Sequence, residues 1–249
     1  VALLADFLAQ RFGVQKALHQ WLDDTPMPHS SLLMGKGVLD ETRAGFTGTY
    51  SGAASSPEVC RAIEEADLVI CVGVQFSDTI TAGFTQRLTR DQTLDVQPWA
   101  TRVGDRWFSG IAMDQAVAIL HDIAKRHSAR LAPPEITPPA ATPPVSGSLN
   151  QNNFWTLMAA FLQPGDILAV DQGTAAFGAA ALRLPAGAIS GAAALGLDRL
   201  RLTGGVWRAD RLPKPPRGAD NGRRRRAALD SGAGIDAARR PGAGRHRAQ

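Results

Sequence analysis

Between Asp67 and Gly73 the chain is apolar at every position from Leu68 to Val72, with a polar residue before the run and a glycine after it. So short a run, rich in Val and Ile and without polar alternation, reads as a strand buried on both faces. Such strands belong to parallel sheets covered by helices, so this segment narrows the chain to α/β architectures. The neighbouring segments have matching periods. Val1 to Ala5 is another short apolar run, and Asp6 behind it is a candidate helix cap. Phe7, Leu8, Phe12, Leu18, Trp21 and Leu22 then recur at helical spacing. Ser31 to Met34 and Gln92 to Gln97 read as strands, Pro57 to Ala66 and Met113 to His127 as helices.

The segment Leu131 to Ser148 contains Pro133-Pro134, Pro138-Pro139 and Pro143-Pro144, and reads as an extended interdomain linker. It separates an α/β domain over 1–130 from a second unit over 149–187. In that unit Asn150 is placed to cap a helix over Asn153 to Leu162, and Asp166 to Val170 reads as a strand. Asp171-Gln-Gly-Thr174 follows at the strand end, where open α/β sheets bind ligands. Gly173 permits close backbone approach, Thr174 offers a hydroxyl to a phosphate, and Gln172 offers an amide to a carboxylate or carbonyl. The same tetrapeptide also reads as a plain strand-to-helix turn. Gly35-Lys-Gly37 matches neither phosphate-loop nor dinucleotide fingerprint and reads as a structural turn.

Charge divides the chain unevenly. Up to residue 187 there are 13 Lys and Arg against 18 Asp and Glu, a net −5; beyond it 14 against 5, a net +9. The segment 188–249 contains Arg223-Arg-Arg-Arg226, a single aromatic residue (Trp207) and no sustained apolar period, a composition that predicts disorder. A basic tail of this kind admits nucleic-acid binding, but no stacking aromatics interleave the arginines, so nucleic acid is not the expected partner. No apolar run reaches membrane-spanning length and no export signal is legible. The two cysteines, Cys60 and Cys71, read as small buried hydrophobes; all this suits a cytoplasmic protein. His19, His29, His121 and His127 read as solvated, Asp23-Asp24 and Glu64-Glu65 as solvated helix charges, and none assembles a catalytic or metal site.

Several longer words match a known family. Leu32-Leu-Met-Gly-Lys-Gly-Val-Leu-Asp-Glu41, Gly48-Thr-Tyr-Ser-Gly52, Thr79-Ile-Thr-Ala-Gly-Phe84, Asn150-Gln-Asn-Asn-Phe-Trp155, Pro164-Gly-Asp166, Asp171-Gln-Gly-Thr-Ala-Ala-Phe-Gly178 and Leu182-Arg-Leu-Pro185 occur in family order. They resemble the thiamine-diphosphate-dependent 2-oxo acid decarboxylases, most nearly the indolepyruvate (phenylpyruvate) type. The resemblance implies that 1–130 is a Rossmann-like central domain with a structural or regulatory role. It implies that 149–187 opens the diphosphate-binding domain. By resemblance Gly173 and Thr174 lie at the cofactor, and Asp171, Gln172 and Phe177 near the substrate. The implied reaction takes indole-3-pyruvate to indole-3-acetaldehyde and CO2, a step of auxin biosynthesis, with thiamine diphosphate and Mg2+ in an enzyme that is commonly a homotetramer.

The resemblance stops near residue 187, and the glutamate that activates the cofactor and the Gly-Asp-Gly motif that anchors its metal have no counterparts in the sequence. The chain alone is therefore expected to be catalytically incompetent and not to bind the cofactor. The tail admits a specific explanation. Leu195 to Leu200 can be encoded CTG GGG CTC GAT CGG CTA, and one nucleotide forward this reads Trp-Gly-Ser-Ile-Gly, a family word. In the same frame Asn221 to Arg226 can read Thr-Gly-Asp-Gly-Ala-Ala. Residues 188–249 are thus expected to be a frameshifted tail, with the frame change near Gly187 to Ser190. From another function class, the chain reads as a non-catalytic α/β binding or structural module with a basic nucleic-acid-binding tail.

Overall fold

A computed structural model of the chain describes residues 1–128, 148, 150–170, 173–192 and 205–208. The first unit is a seven-stranded sheet in the order β3-β2-β1-β4-β5-β6-β7. Its strands are β1 (Ala2–Ala5), β2 (His29–Ser31), β3 (Phe46–Thr49), β4 (Val69–Val72), β5 (Thr93–Gln97), β6 (Ala100–Val103) and β7 (Arg106–Ser109). β1 to β5 are mutually parallel, whereas β6 and β7 return antiparallel as a hairpin on the β5 edge. The sheet is therefore mixed, and the expectation of a purely parallel sheet is corrected at that edge. The hairpin turns at Gly104, with φ of 56°. β7 is exposed along its whole length, and β6 is half-buried at Ala100 and exposed at Val103, so neither shows the apolar run that marks a central strand.

The two central strands show why their sequences lack polar alternation. Leu3 and Ala5 of β1, with Ile70 and Val72 of β4, face a core that includes Leu18, Trp21, Met113 and Val117. Ala2 and Leu4, with Val69 and Cys71, face the opposite core of Tyr50, Val59 and Ile63. Successive side chains point to opposite faces, and both faces are covered. On one face lie α2 (Gln15–Asp24) and α4 (Met113–Arg126), and on the other α3 (Pro57–Glu64). α3 starts with Pro57 in its first turn, and the Ser56 hydroxyl accepts from the Val59 N–H at 3.4 Å.

Three further expectations change. The helical period from Phe7 to Leu22 is split into α1 (Phe7–Arg11) and α2, because Gly13 turns the chain with φ of 73°. The strand expected over Ser31 to Met34 ends at Ser31, and Leu33–Gly35 is a 3-10 turn. β3 is a strand that the sequence did not announce, since Thr47, Gly48 and Thr49 carry no apolar pattern.

A second, smaller layer lies within the same compact unit, Val1–Asp210, as the seven-stranded sheet, and is called the second unit below; it has α5 (Gln151–Phe161), β8 (Asp166–Val170), α6 (Thr174–Ala180) and β9 (Ile189–Ala192). The Asn150 side chain caps α5 by accepting from the Asn153 N–H at 2.9 Å, as its sequence position implied. β8 is central in a three-stranded sheet, with β9 parallel on one side and β10 (Gly205–Arg208) antiparallel on the other. Regular structure thus appears at two places beyond residue 187 where none was expected. Apart from Ala188, β9 and β10, the basic segment lies outside the described residues, as does most of the Pro-rich linker.

Candidate functional site

The candidate ligand turn follows β8. Gly173 stands at the N-cap of α6 with φ of 116° and ψ of −146°, a backbone open to glycine and costly for other residues. Among the described residues, a Cβ built at Gly173 meets nothing within 4 Å. Thr174 begins the helix and is exposed, and Phe177, one turn further on, is 54% exposed. Gly173 and Thr174 thus stand at the N-terminal end of α6, with Phe177 in the middle of the helix. Asp171 and Gln172 lie outside the described residues.

Two contacts hold α6 in place. From α5, the Trp155 indole packs so closely that a Cβ on Gly178 would sit 2.1 Å from it. On the other side, the segment after α6 joins the first unit. Lys36 and Glu41 form an ion pair with both side chains 1% exposed. The Lys36 ammonium donates to both Glu41 carboxylate oxygens, at 3.1 and 2.9 Å, and to the Leu182 carbonyl oxygen. The Glu41 Oε2 atom also accepts the Leu184 N–H at 2.9 Å. Between them the Arg183 guanidinium donates to the Phe46 carbonyl oxygen and lies over the Phe46 ring, 5.5 Å from its centroid. Burial pushes the Lys36 ammonium below the usual lysine range, opposed by the Glu41 charge.

A cleft of about 610 Å³ opens beside α6, with Thr47, Thr49 and Ser55 on one wall and Phe177, Ala181 and Arg183 on the other. One wall offers hydroxyls and the other apolar surface with a guanidinium already engaged. The cleft can bind and orient a ligand, and its lining also holds Asp78, whose carboxylate accepts the Thr79 hydroxyl at 3.2 Å and the Thr79 N–H at 2.7 Å.

The first sheet has its own ligand position, the switch point between β1 and β4, where chain crossovers diverge. Here that crevice is filled by the chain itself. A Cβ on Gly73 would lie 2.6 Å from the Ala9 nitrogen, and one on Gly35 only 2.5 Å from the Asp6 Cα. Asp6 ends β1 fully buried, accepting the Gln75 N–H at 3.3 Å. It stands at the N-cap of α1, yet its side chain makes no capping bond there. Burial pushes its carboxyl up to about 7, against the N–H groups of Phe7, Gln75 and Gly35.

Several polar residues read as solvated are structural. His29 is buried, its Nδ1 bonded to the Met27 carbonyl oxygen at 2.9 Å, and burial lowers it to about 4. His121 stacks on Trp21 and pairs with Asp24, which also binds Lys125. The Glu64 carboxylate is 5% exposed and accepts from the Tyr50 hydroxyl at 2.8 Å and from Arg87. Cys71 is buried as expected, and Cys60 is half-buried. Among the described residues no three His, Cys, Asp or Glu come together to hold a metal. Lys36, Glu41 and Arg183 are the residues sequence reasoning missed. Their words were visible, but the partners lie up to 146 positions apart and share no period.

The model of the thiamine pyrophosphate enzyme central domain matches residues 1–125. The chain belongs to the thiamine pyrophosphate enzyme family. Its relatives there are decarboxylases: it is 36% identical over 190 residues to the alpha-keto-acid decarboxylase of Mycobacterium ulcerans (strain Agy99), covering 75% of this chain and 34% of that protein. The corresponding figures are 37%, 75% and 34% for the alpha-keto-acid decarboxylase of Mycobacterium avium (strain 104), and 36%, 75% and 33% for that of Mycobacterium leprae (strain TN). The chain spans about a third of the length of the curated relatives it matches. The seven-stranded sheet lies within the matched residues and is the central domain of that family.

Proposed function

We propose that the chain derives from a thiamine-diphosphate-dependent decarboxylase of an aromatic 2-oxo acid, such as indole-3-pyruvate, and comprises its central domain and the opening of its diphosphate-binding domain. The observation that carries this reading is the extent of the likeness. It runs over 190 residues and so passes beyond the 125 of the central-domain match, into the second unit. Thiamine diphosphate, when bound, would supply the electron sink for decarboxylation.

The chain's own residues fit one end of that cofactor. Gly173 takes a backbone that glycine tolerates, no described residue lies within 4 Å of a Cβ built there, and the adjacent Thr174 is exposed, its hydroxyl suited to a phosphate oxygen. Phe177, exposed beside them, offers a flat apolar surface suited to an aromatic substrate. No described residue is assigned to Mg2+. Asp171 and Gln172 are proposed near the substrate on the resemblance alone. The central domain contributes support, since its own crevice is closed by backbone at Gly35 and Gly73.

In this reading residues from about 188 onward are largely an out-of-frame translation, and the chain is incompetent alone. The test restores the forward-shifted frame in the full gene and measures CO2 release from indole-3-pyruvate, phenylpyruvate and pyruvate with thiamine diphosphate and Mg2+. Release with preference for the aromatic acids is expected; no release from any of them, or coding DNA that lacks Gly-Asp-Gly beneath Arg223 to Arg225, overturns it. Calorimetric titration of the 249-residue chain is expected to show no Mg2+-dependent cofactor binding, and measurable binding contradicts the claim of incompetence.

A further inference from the structure

The buried Lys36–Glu41 pair has a feature that an ion pair kept for local stability does not need: its remaining hydrogen-bonding capacity goes to distant main chain. Lys36 lies directly behind the 3-10 turn Leu33–Gly35, and both α6 and β9 rest against that turn. The ammonium reaches the Leu182 carbonyl oxygen and the carboxylate takes the Leu184 N–H. Both atoms belong to the segment leaving α6, whose opposite end carries Gly173 and Thr174. Two charges so fully removed from water are costly unless geometry and extra hydrogen bonds compensate, and here the compensating bonds come from the second unit.

We propose that Lys36 and Glu41 are positioning residues, a buried clasp that docks the exit of α6 on the central domain and so sets where Gly173, Thr174 and Phe177 stand. That these three residues face cofactor and substrate rests on the reading above; the clasp itself does not. Arg183 is a secondary anchor, because its guanidinium is half-exposed and bonds a carbonyl oxygen at the cleft edge. The ion pair acts as a key: among the described residues it is the segment after α6 that supplies a carbonyl oxygen and an N–H, two residues apart, to complete it.

Hydrogen–deuterium exchange of the whole chain, without cofactor, tests the clasp. The double variant Lys36→Met/Glu41→Leu removes both charges and leaves none buried and unpaired. Exchange at residues 174–184 is expected to quicken about tenfold or more, while β1 and β4 keep their protection. Unchanged exchange over 174–184 overturns the proposal, as does equal loss of protection in β1 and β4, which indicates a general folding role. Arg183→Met is expected to change exchange over 174–184 less than about threefold; loosening equal to that of the double variant shifts the role to Arg183 and also overturns it. If the double variant does not fold, Lys36→Gln/Glu41→Gln also removes both charges, keeps polar side chains beside the Leu182 and Leu184 main chain, and gives the same reading at smaller amplitude. Faster exchange confined to 174–184 supports the clasp, and none overturns it. Failure of the decarboxylase assay leaves these rates untouched, so the two readings fail separately.

Discussion

Asp6 and His29 are buried side chains whose titrations oppose each other. Asp6 is raised from 3.8 to about 7, so the stability of its protonated form is complete below 3.8 and is lost as pH rises through 7. The size of that loss is on the order of 4 kcal/mol. His29 is lowered from 6.5 to about 4, so its contribution is present above 6.5 and lost as pH falls through 4, on the order of 3 kcal/mol. Between pH 4 and 6.5 the two largely cancel. Chemical denaturation across that range separates them: Asp6→Asn gains stability relative to the parent as pH rises, and His29→Gln gains relative to it as pH falls. A pH-independent difference for either variant contradicts its assignment. Glu41→Ala, by contrast, leaves the Lys36 ammonium buried without its carboxylate, and a loss of ~3–5 kcal/mol is expected in the same measurement.

At the scale of elements, close approach explains where the glycines fall. Gly178 is a mid-helix residue of α6, a position where glycine is normally unfavourable, and its value lies in the Trp155 indole beside it. Gly178→Ala improves helix propensity by ~1 kcal/mol but drives a methyl into the ring, a collision that costs ~1–3 kcal/mol or more. The expected net result is a lower thermal midpoint with shifted Trp155 fluorescence; a raised midpoint shows that α5 yields freely. Gly35 and Gly73 serve the same purpose around β1, where α1 and the 3-10 turn come within backbone distance of the strand ends. Packing at the switch point is thus backbone against backbone, and the element order that commonly makes a nucleotide crevice makes a closed end here.

The whole molecule joins an acidic α/β part to a basic segment, net −5 to residue 187 and +9 beyond it. Fourteen positive residues attract any polyanion at low salt, so retention of DNA alone is not evidence of a nucleic-acid module. A mobility-shift titration is expected to show weak, sequence-independent binding that disappears by roughly 0.2 M salt and is lost on deleting 211–249. Tight binding that survives such salt favours the nucleic-acid module instead. By itself the sequence determined the central domain: strands buried on both faces must be apolar throughout, and helices covering them must repeat apolar residues each turn, both local signals. The turn at Gly173 and the Asn150 cap were legible for the same reason, since backbone conformation and capping act within a few residues. Only the tertiary structure decided the β6–β7 hairpin on the sheet edge, the burial of Asp6, His29 and Glu64, and the union of Lys36 and Glu41 with Leu182 and Leu184. Each depends on which distant segment excludes water from a polar group, and a charge's own sequence neighbourhood does not record whether the chain will return to cover it.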